Sequence, residues 1–437
     1  MDKEIKERIA AINSGIIPEG YKKTKVDIVP LDWKVSCLKD LASIKGRIGF
    51  RGYTQNDITT KEQGVLALSP TNIVNNSLSL EKCTYITQKK YDESPEIKIE
   101  KNDIIFTKTG STFGKTAYLN TINQNATINP QLVIVRCYNS DYQLLLAYNM
   151  QSSYFQNRIN QIVVGGAVPT LSQEQLSKIH VAFPTDIKEI KKMTKILSTQ
   201  DKLIELQEKK IEQLKELKKA YLQKMFPKKG SKYPELRFKG FTDPWEQRKV
   251  KDIADNTYGG GTPQTSIDSY WNGEIPWIQS QDIIENQLFN VEPRKHISEE
   301  AISKSATKLV PKNSIAIVTR VGVGKLAFMP FSYCTSQDFL SLSGIQIDEK
   351  YATYSIYQVL QKEKQNVQGT SIKGITIEEM LSKKIPVPCN SDEQGAIGAF
   401  FHNLDTLITL HQRKSEQEKQ KKKALMQLLL TGIVRTK

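Results

Sequence analysis

A lysine at the end of a glycine-rich segment is the first candidate for phosphate chemistry. Residues 110–116 read Gly-Ser-Thr-Phe-Gly-Lys-Thr. A Walker A loop, which binds nucleotide phosphates, needs a glycine, four residues and then Gly-Lys-Ser or Gly-Lys-Thr. Here only three residues separate Gly110 from Gly114, and Thr109 stands where the first glycine belongs. The segment therefore does not predict a nucleotide site.

Signatures of other reactions are incomplete as well. Residues 129–130 read Asn-Pro and stop short of the Asn-Pro-Pro-Tyr type of tetrapeptide used in adenine methylation. Residues 96–98 read Glu-Ile-Lys, which matches the end of a nuclease motif, but no aspartate on a strand precedes them at a suitable distance. The sequence therefore predicts a protein that is not an enzyme.

Histidines and cysteines give no metal pattern. Neither the four histidines nor the five cysteines have the spacing of a zinc site, so we expect no metal. A sparse, odd number of cysteines fits a reducing cytosol. The charged first residues do not predict a signal peptide, and no apolar run has the length of a membrane span. These features predict a cytoplasmic protein that does not contact a membrane.

The charge balance favours an anionic partner. The chain of 437 residues has 62 Lys and Arg against 47 Asp and Glu, which gives a net charge of +15. Nucleic acid is the commonest partner of such basic proteins. A basic protein without such a partner is the alternative, so the charge has to be combined with specific residues.

Two similar turns carry polar and basic residues after a short apolar strand. We align Thr107 with Thr319, so that Lys108 matches Arg320, and each turn continues through a glycine to a lysine. Lysine and arginine bind phosphates or guanine edges, so we predict that both turns face DNA. An ordinary glycine hairpin with exposed charges is the alternative. The predicted DNA-facing residues here are Thr107, Lys108, Thr109, Lys115, Thr319, Arg320 and Lys325.

Two further segments supply candidates for base or phosphate contacts. Polar residues end a strand in each half, and amide side chains bind adenine well. The candidates at these strand ends are Asn72, Gln279, Ser280 and Gln281. A strand cap with amides facing solvent explains them equally well. The paired loops 165–170 and 369–373 add Lys373 as a phosphate contact, with a turn that only positions the next helix as the alternative.

The elements that must position these residues occur twice. At a shift of 204 residues, identities run from Asp201, which matches Asp405, to Gln223, which matches Gln427. Upstream, Trp33 matches Trp245 at a shift of 212, and residues 101–104 match 312–315 at a shift of 211. The changing shift indicates small insertions in loops. The chain is therefore an internal repeat of globule and helix.

The repeat predicts a mixed α/β (α+β) fold. Short branched runs indicate strands in each globule, and helices are predicted at 142–160 and 350–363. Two similar recognition globules are separated by two long antiparallel coiled-coil helices with pseudo-two-fold symmetry. The predicted boundaries are 1–25 for an N-terminal helical segment, 26–185 for globule one, 186–228 for the central helix, 229–243 for a linker, 244–389 for globule two and 390–437 for the distal helix.

The long helices have apolar residues at heptad spacing. Each is about 40 residues long, or ~60 Å at 1.5 Å per residue. We interpret them as a rod that holds two DNA-reading globules apart and binds partner helices, whereas packing on their own globules is the alternative. If the globules packed directly on each other, small-angle scattering would contradict the rod. The predicted partner-binding residues are Ile190, Leu197, Ile204, Ile211, Leu214, Ile397, Phe401, Leu404 and Ile408.

This organisation resembles the specificity subunit of type I restriction-modification enzymes. Residues 233–248 (Tyr-Pro-Glu-Leu-Arg-Phe-Lys-Gly-Phe-Thr-Asp-Pro-Trp-Glu-Gln-Arg) are similar to the entry to a second recognition domain in that family. Residues 421–432 (Lys-Lys-Lys-Ala-Leu-Met-Gln-Leu-Leu-Leu-Thr-Gly) are similar to the end of the distal helix. The resemblance covers nearly the whole chain after the first 25 residues.

The resemblance implies a division of labour. Each globule reads one half of a split site in double-stranded DNA, and the helices set the spacing and dock two methyltransferase subunits. Restriction and translocation subunits join that core. S-adenosylmethionine, ATP and magnesium are expected on those partners, and no cofactor is expected on this chain. A self-sufficient nuclease and a coiled-coil adaptor that does not bind DNA are the alternatives.

Overall fold

The computed structural model describes residues 3–163, 168–320, 322–367 and 374–436, which form two units. Unit 1 comprises Met1–Leu206 together with Glu416–Lys437, and unit 2 comprises Gln207–Ser415. Each unit therefore contains one globule, one half of the central helix and one half of the distal helix.

The helices include two that are much longer than the rest. In chain order they are α1 (Lys3–Asn13), α2 (Leu38–Leu41), α3 (Gln88–Asp92), α4 (Gln143–Gln151), α5 (Ser153–Ile162), α6 (Gln173–Ser177), α7 (Ile187–Lys224), α8 (Glu299–Ser303), α9 (Glu349–Val367), α10 (Ile377–Ser382) and α11 (Ser391–Leu430). The predicted helix at 142–160 is divided into α4 and α5 because Ser152 is extended and caps α5 through its side chain.

The strands of unit 1 are short. They are β1 (Tyr21–Lys23), β2 (Ile28–Pro30), β3 (Trp33–Cys37), β4 (Ala42–Gly46), β5 (Ile58–Thr59), β6 (Val65–Leu68), β7 (Ile73–Val74), β8 (Ser77–Leu78), β9 (Thr84–Ile86), β10 (Ile104–Thr107), β11 (Thr116–Tyr118), β12 (Ala126–Ile128), β13 (Leu132–Cys137) and β14 (His180–Pro184).

Unit 2 contains the remaining strands. They are β15 (Glu246–Lys249), β16 (Ala254–Gly259), β17 (Ile275–Ile278), β18 (Lys295–Ile297), β19 (Ser314–Val318), β20 (Leu326–Met329), β21 (Cys334–Thr335), β22 (Phe339–Ile345) and β23 (Lys384–Val387).

The two units share one sheet plan. In unit 1 the antiparallel order β11-β10-β13-β4 lies beside the order β12-β6-β9-β5, in which β12 and β6 are parallel. Unit 2 has the orders β20-β19-β22-β16 and β21-β17-β18, with β21 parallel to β17. A two-stranded pair, β3-β14 or β15-β23, completes each plan. The predicted mixed α+β fold with an internal repeat is confirmed.

A left-handed asparagine precedes the central strand of each unit. Asn102 has φ 72° and Asn313 has φ 59°, a conformation that asparagine adopts more readily than most other residues. The strands that follow, β10 and β19, are buried along their whole length. The sequence match at 101–104 and 312–315 thus marks the same turn into the same buried strand.

The cores place the two matched tryptophans at equivalent positions. Trp33 lies in the core of unit 1 and Trp245 in the core of unit 2, and both are almost fully buried. Each packs among residues of a long helix, such as Leu197 in unit 1 and Phe401 in unit 2. Burial of such apolar surface is what attaches each globule to its helices.

The long helices pack antiparallel within each unit. In unit 1 the side chain of Gln200 on α7 donates to Glu418 on α11. In unit 2 the Gln207 side chain lies 2.7 Å from Nδ1 of His411, and these two residues are equivalent in the 204-residue repeat. Polar pairs therefore connect the helices where apolar residues are sparse.

A Tyr–Asp–Lys group recurs in both units. In unit 2 the Lys218 ammonium lies 2.6 Å from an oxygen of Asp405, whose other oxygen accepts a hydrogen bond from Tyr354 at 2.5 Å. Burial first, and then the neighbouring carboxylate, raise the pKa of Tyr354 far above its usual range, so its hydroxyl stays a donor. The group joins α9 to both long helices.

The matching group in unit 1 uses the residues predicted by the repeat. Lys422 lies 2.5 Å from Asp201, and Tyr148 donates to the same carboxylate at 2.7 Å. In both units the lysine also lies over the tyrosine ring, at 5.3 Å in unit 2 and 5.5 Å in unit 1. The helices and the globule are thus held in a fixed register within each unit.

Candidate nucleic-acid interface

Three loops of unit 1 converge at the end of β10. The amide of Lys108 donates to the carbonyl of Gln131, and the Lys108 carbonyl accepts from the amide of Leu171, both at 2.9 Å. Thr109 forms a bridge with Thr170 in the same region. The turn after β10, the loop before β13 and the segment before α6 therefore form one surface.

Unit 2 repeats this convergence at the end of β19. The amide of Thr319 donates to the Asp338 carbonyl, and the amide of Ile375 donates to the Thr319 carbonyl, both at 2.8 Å. A fourth segment joins them, because the ammonium of Lys325 donates to the carbonyl of Ser280 at 3.2 Å. We call these two surfaces loop face 1, built from residues 108–115, 129–131 and 168–171, and loop face 2, built from 279–282, 319–320, 322–325, 336–338 and 374–375.

The predicted alignment of the two turns is wrong by one residue. The backbone bonds make Lys108 equivalent to Thr319, and therefore Thr109 equivalent to Arg320. This is the 211-residue shift already seen at 101–104, whereas alignment on the two threonines used a shift of 212. Lys108 and Arg320 thus occupy neighbouring positions of the shared turn and not the same position. The two loop faces therefore present different surfaces.

Several predicted side chains are free to contact a ligand. Lys115, Arg320 and Gln281 are exposed, and Lys108 and Thr109 are half-buried. Within the described ranges, no salt bridge or side-chain hydrogen bond involves the charged groups of Lys108, Lys115 or Arg320. Their ammonium and guanidinium groups can therefore bind an anion without losing an internal partner.

Asn72 does not fit its predicted role in base recognition. Its side chain is buried, and its amide donates to the carbonyls of Ser79 and Lys82 at 2.9 Å each. Its oxygen accepts from the amide of Ser69. Because every polar atom of the side chain is used internally, Asn72 caps the end of β6; it is a strand cap, as the alternative held, but its amide is buried and does not face solvent.

The two threonines on which the turns were aligned, Thr107 and Thr319, are also buried. Thr319 donates its hydroxyl to the Asp338 carbonyl at 3.0 Å, so it holds loop face 2 together. Thr107 is fully buried within β10. Lys325 is half-buried and already bonded to Ser280, so its role is to join two segments. The buried Thr107 and Thr319 are therefore not available to a ligand, whereas a DNA contact by Lys325 stays a prediction.

The strand end in unit 2 keeps one exposed amide. The backbone N–H of Gln279 donates to the carboxylate of Asp282, and the side-chain nitrogen of Gln279 is buried without a hydrogen-bond partner in the described structure. The exposed side chain of Gln281 lies 3.4 Å from the Gln279 amide oxygen. Ser280 is half-buried. Gln281 is therefore the best-placed amide on loop face 2.

The second paired loop lies mostly outside the described residues. Residues 164–167 and 368–373, which include Lys373, are not described, so the prediction for Lys373 stays a prediction. The adjoining Gly374 lies against loop face 2, because a Cβ atom there would come within 2.8 Å of the Thr319 carbonyl oxygen.

The predicted partner-binding residues of the long helices are turned inward. All except the half-buried Ile204 are buried in the cores of their own units. They are Ile190, Leu197, Ile211, Leu214, Ile397, Phe401, Leu404 and Ile408. The prediction that they bind partners is wrong, because these heptad positions pack on the globules and on the other long helix.

The apolar residues that remain exposed lie on another helix face. Leu203 and Leu206 on α7 are 40% and 61% exposed, and their repeat equivalents Leu407 and Leu410 on α11 are 43% and 45% exposed. The same leucine pair is therefore presented once by each unit. Both leucine pairs lie in the segments of the sequence that match at a shift of 204 residues.

A basic pocket beside β18 was not found from the sequence. It is lined by Arg294, Lys295 and His296 on one side and Trp271 on the other. The signal available was the run Pro-Arg-Lys-His at 293–296, which stands in an otherwise mixed segment.

No group of potential metal ligands is found in the described ranges. Those ranges also contain no helix with the length and apolar character needed to cross a membrane.

Family comparisons agree with the repeated geometry. The family model described as the type I restriction modification DNA specificity domain matches the chain twice, over residues 30–216 and 242–420. The putative type I restriction enzyme MjaX specificity subunit of Methanocaldococcus jannaschii is 25% identical over 437 residues, covering 96% of this chain and 97% of that protein. The EcoR124I/EcoR124II specificity subunit of Escherichia coli is 34% identical over 161 residues, covering 34% and 38% respectively.

Solved structures show the same fold. The S subunit of a type I restriction-modification system from M. genitalium matches with a TM-score of 0.58 at 14% identity, covering 91% of this chain and 96% of that one. A chain from a structure titled for complex assembly and conformational transition of the type I R-M system matches with a TM-score of 0.53 at 16% identity, covering 93% and 99%.

Two specificity domains of this kind define a DNA-recognition protein with a duplicated, bipartite design. The chain belongs to the family of type I restriction-modification DNA specificity subunits. It is the non-catalytic component of such a system, and subunits of this kind carry no cofactor of their own.

Proposed function

We propose that loop face 1 reads one half of a split DNA site and loop face 2 reads the other half. The observation that carries this is the repeated convergence of loops at the ends of β10 and β19. The same backbone scaffold presents Lys108 and Lys115 in unit 1 but Arg320 and Gln281 in unit 2. A common scaffold with different side chains is what two different half-sites require.

The base preferences of the two faces follow from their side chains. Arg320 has a guanidinium that can bind the O6 and N7 atoms of guanine together, and Gln281 can bind the N6 and N7 atoms of adenine. Lys108 and Lys115 act as point charges toward guanine or phosphate. We therefore expect a guanine or an adenine in the half-site read by unit 2.

We also infer that the leucine pairs dock two copies of one partner, the methyltransferase subunit. Leu203 with Leu206, and Leu407 with Leu410, are equivalent in the repeat and exposed in both units. Exposed apolar residues on a helix face are typical of protein interfaces. S-adenosylmethionine would bind to that partner, whereas ATP and magnesium would serve the restriction and translocation subunits. The assembly would act in the cytoplasm, where it meets DNA.

The test is a map of modified adenines made with the chain and its methyltransferase partner in a host that lacks both. Wild-type chain should give methylation at one motif of two short half-sites separated by a fixed gap. Arg320→Ala should relax the motif at one half-site only, and Lys108→Ala should affect only the other.

Matched controls come from the repeat itself. Lys39 and Lys251 are exposed, are equivalent at a shift of 212, and precede β4 and β16 at the ends of those strands that lie away from the loop faces. Alanine at either position should leave the motif unchanged. Relaxation of both half-sites by a single loop-face variant would contradict the assignment of one half-site to each unit.

A further inference from the structure

The pocket beside β18 has the composition of an anion site. It is an open cavity of about 530 Å³ in unit 2, and its lining includes Arg294, Lys295 and His296 from one strand edge. Arg294 and Lys295 are exposed, and His296 is half-buried. Two fixed cations on consecutive residues, with an imidazole next to them, offer several donors to one anion.

The structure also fixes how the two cations are presented. Nε of Arg294 lies 3.5 Å from the buried carboxylate of Asp282, and the Arg294 side chain is still 65% exposed. This is an ion-pair distance without a hydrogen bond, and it leaves the donors of the guanidinium open to a ligand. The Lys295 ammonium lies over the rings of Trp271 and Trp277, at 5.2 and 5.8 Å. Both charges therefore belong to the lining of the cavity and are open to solvent.

The pocket adjoins loop face 2 through the same aspartate. The second carboxylate oxygen of Asp282 accepts a hydrogen bond from the backbone N–H of Gln279. The Asp282 side chain therefore contacts both Arg294 of the pocket and the backbone of the loop face. A duplex bound at loop face 2 would therefore bring its backbone close to Arg294 and Lys295.

Unit 1 has no such site at the equivalent place. The strand pairing makes Lys295 equivalent to Thr84, Arg294 to Cys83 and His296 to Tyr85. Asp282 is replaced by Asn72, whose amide is bonded to backbone carbonyls. The two cations and the neighbouring carboxylate are thus present together in unit 2 and replaced together at the equivalent positions of unit 1.

We propose that this pocket binds a phosphate of the DNA backbone that flanks the half-site read by unit 2. The inference rests on the proposed function, because it assumes that loop face 2 contacts DNA. Phosphodiester oxygens match the donors of Arg294 and Lys295, and backbone contacts fix the register of a protein on the duplex without reading sequence. The flank of the unit 2 half-site is therefore held more firmly than the flank of the unit 1 half-site.

One carboxylate of the pocket lining should repel a phosphate, so its removal should change DNA binding in the opposite direction to removal of the cations. Asp268 lines the same cavity and is exposed. Water and salt screen its repulsion of a phosphate but do not remove it. Asp268→Asn should therefore strengthen DNA binding, whereas Arg294→Ala and Lys295→Ala should weaken it.

The experiment measures the affinity of the assembled chain and methyltransferase partner for a duplex carrying the mapped motif, across a series of potassium chloride concentrations. The double variant Arg294→Ala/Lys295→Ala should lower affinity about tenfold or more at low salt. The slope of log affinity against log salt should become shallower by about 1, since about 0.9 counterions are released for the one phosphate contact that is lost. The methylated motif should stay the same, and Lys251→Ala should behave as wild type.

A second measurement locates the phosphate. Single neutral methylphosphonate linkages are introduced in turn along the duplex. At one or two linkages beside the half-site that Arg320→Ala relaxes, a methylphosphonate should weaken DNA binding by the wild-type chain. The same methylphosphonate should not weaken DNA binding by the double variant.

The outcomes separate the two proposals. If wild type prefers the motif and the double variant keeps both its affinity and its slope, the pocket inference is wrong and the proposed function stands. If the sensitive linkages lie beside the other half-site, the pocket inference is again wrong. If wild type shows no preference for any motif, the proposed function itself fails.

Discussion

Lys218 and Lys422 are equivalent in the repeat but differ in exposure. The Lys218 side chain is 8% exposed and its partner Asp405 is 16% exposed, whereas Lys422 and Asp201 are 18% and 41% exposed. Removal of one partner from a buried pair leaves an uncompensated charge, which costs about 3–5 kcal/mol. Surface pairs contribute only about 0–1 kcal/mol. The same substitution should therefore have unequal effects in the two units.

We expect Lys218→Ala to lower the free energy of unfolding of unit 2 by about 3 kcal/mol, and Lys422→Ala to lower that of unit 1 by about 1 kcal/mol or less. Urea unfolding followed by tryptophan fluorescence would measure both. Lys219→Ala, at an exposed position one residue away on α7, is the control and should have little effect. Equal losses for the two equivalent lysines would contradict this account.

His402 makes the stability of unit 2 depend on pH. Burial first, and then the nearby Lys350, lower the pKa of His402, and its ring packs edge-on against Phe289 at 4.6 Å. Below about pH 6.5 the unfolded chain binds a proton that the folded chain resists. Stability is therefore complete above that pH and falls as pH drops toward the lowered folded value.

The corresponding experiment compares thermal unfolding of wild type and His402→Gln between pH 7.5 and 5.5. Wild type should lose more of its melting temperature on acidification than the variant does, because the variant lacks the titrating group. Carboxylates that titrate in both proteins cancel in the difference. Identical pH profiles would remove His402 as the cause.

Sequence patterns predicted which residue types gather at the loop faces but not which way each side chain points. Asn72 and Thr319 have the right chemistry for base contacts, yet both are buried and use their polar atoms to close turns. Burial is decided by chain segments distant in sequence, such as 79–82 for Asn72 and 338 for Thr319. A strand end followed by a polar residue fits a cap and a DNA contact equally well.

The long helices show why heptad spacing alone cannot identify a partner surface. The spacing predicted one apolar face correctly, but that face is covered by each unit's own core, as Leu197 and Phe401 illustrate. The face left exposed carries Leu206 and Leu410, which are not among the predicted partner-binding residues. Only the fold distinguishes a seam within the chain from a surface offered to another chain.

The leucine pairs predict the number of partner subunits. Leu206→Glu should abolish docking at unit 1 and Leu410→Glu docking at unit 2, because a charge buried in an apolar interface without a partner is costly. Native mass spectrometry should then give two methyltransferase copies on wild type, one copy on each single variant and none on the double variant.

Two substitutions control for this experiment. Lys209→Glu and Lys414→Glu introduce the same residue at exposed positions on the same helices, next to the leucine pairs in sequence but outside them. Both variants should keep two copies. Two copies on each single leucine variant would place the docking surface elsewhere.

At the scale of the whole molecule, the repeat in the sequence predicted the architecture because it records a duplicated unit. The equivalence of Trp33 with Trp245 and of Asp201 with Asp405 holds in position and in contacts. The sequence did not show that each unit combines the globule with halves of both long helices, because that grouping comes from long-range packing of α11. The separation of the recognition units by a helical rod stays a prediction for solution scattering.

Recognition of a split site requires both loop faces to engage one duplex, and this has a measurable consequence. Lys108→Ala and Arg320→Ala should each weaken binding to the full motif by about 1–3 kcal/mol, the usual value of a good base contact. Because the two residues lie in separate units without shared partners, the losses should add in the double variant.

The contrary case gives a different pattern. If either unit alone could support binding, the unaltered unit would retain the duplex, and each single variant would change the apparent affinity less than twofold. Only the double variant would then bind poorly. Additive losses in a mobility-shift or fluorescence titration at fixed salt therefore indicate simultaneous engagement, because each half-site then contributes to one effective affinity. Losses confined to the double variant would overturn the bipartite mechanism and leave two independent binding sites.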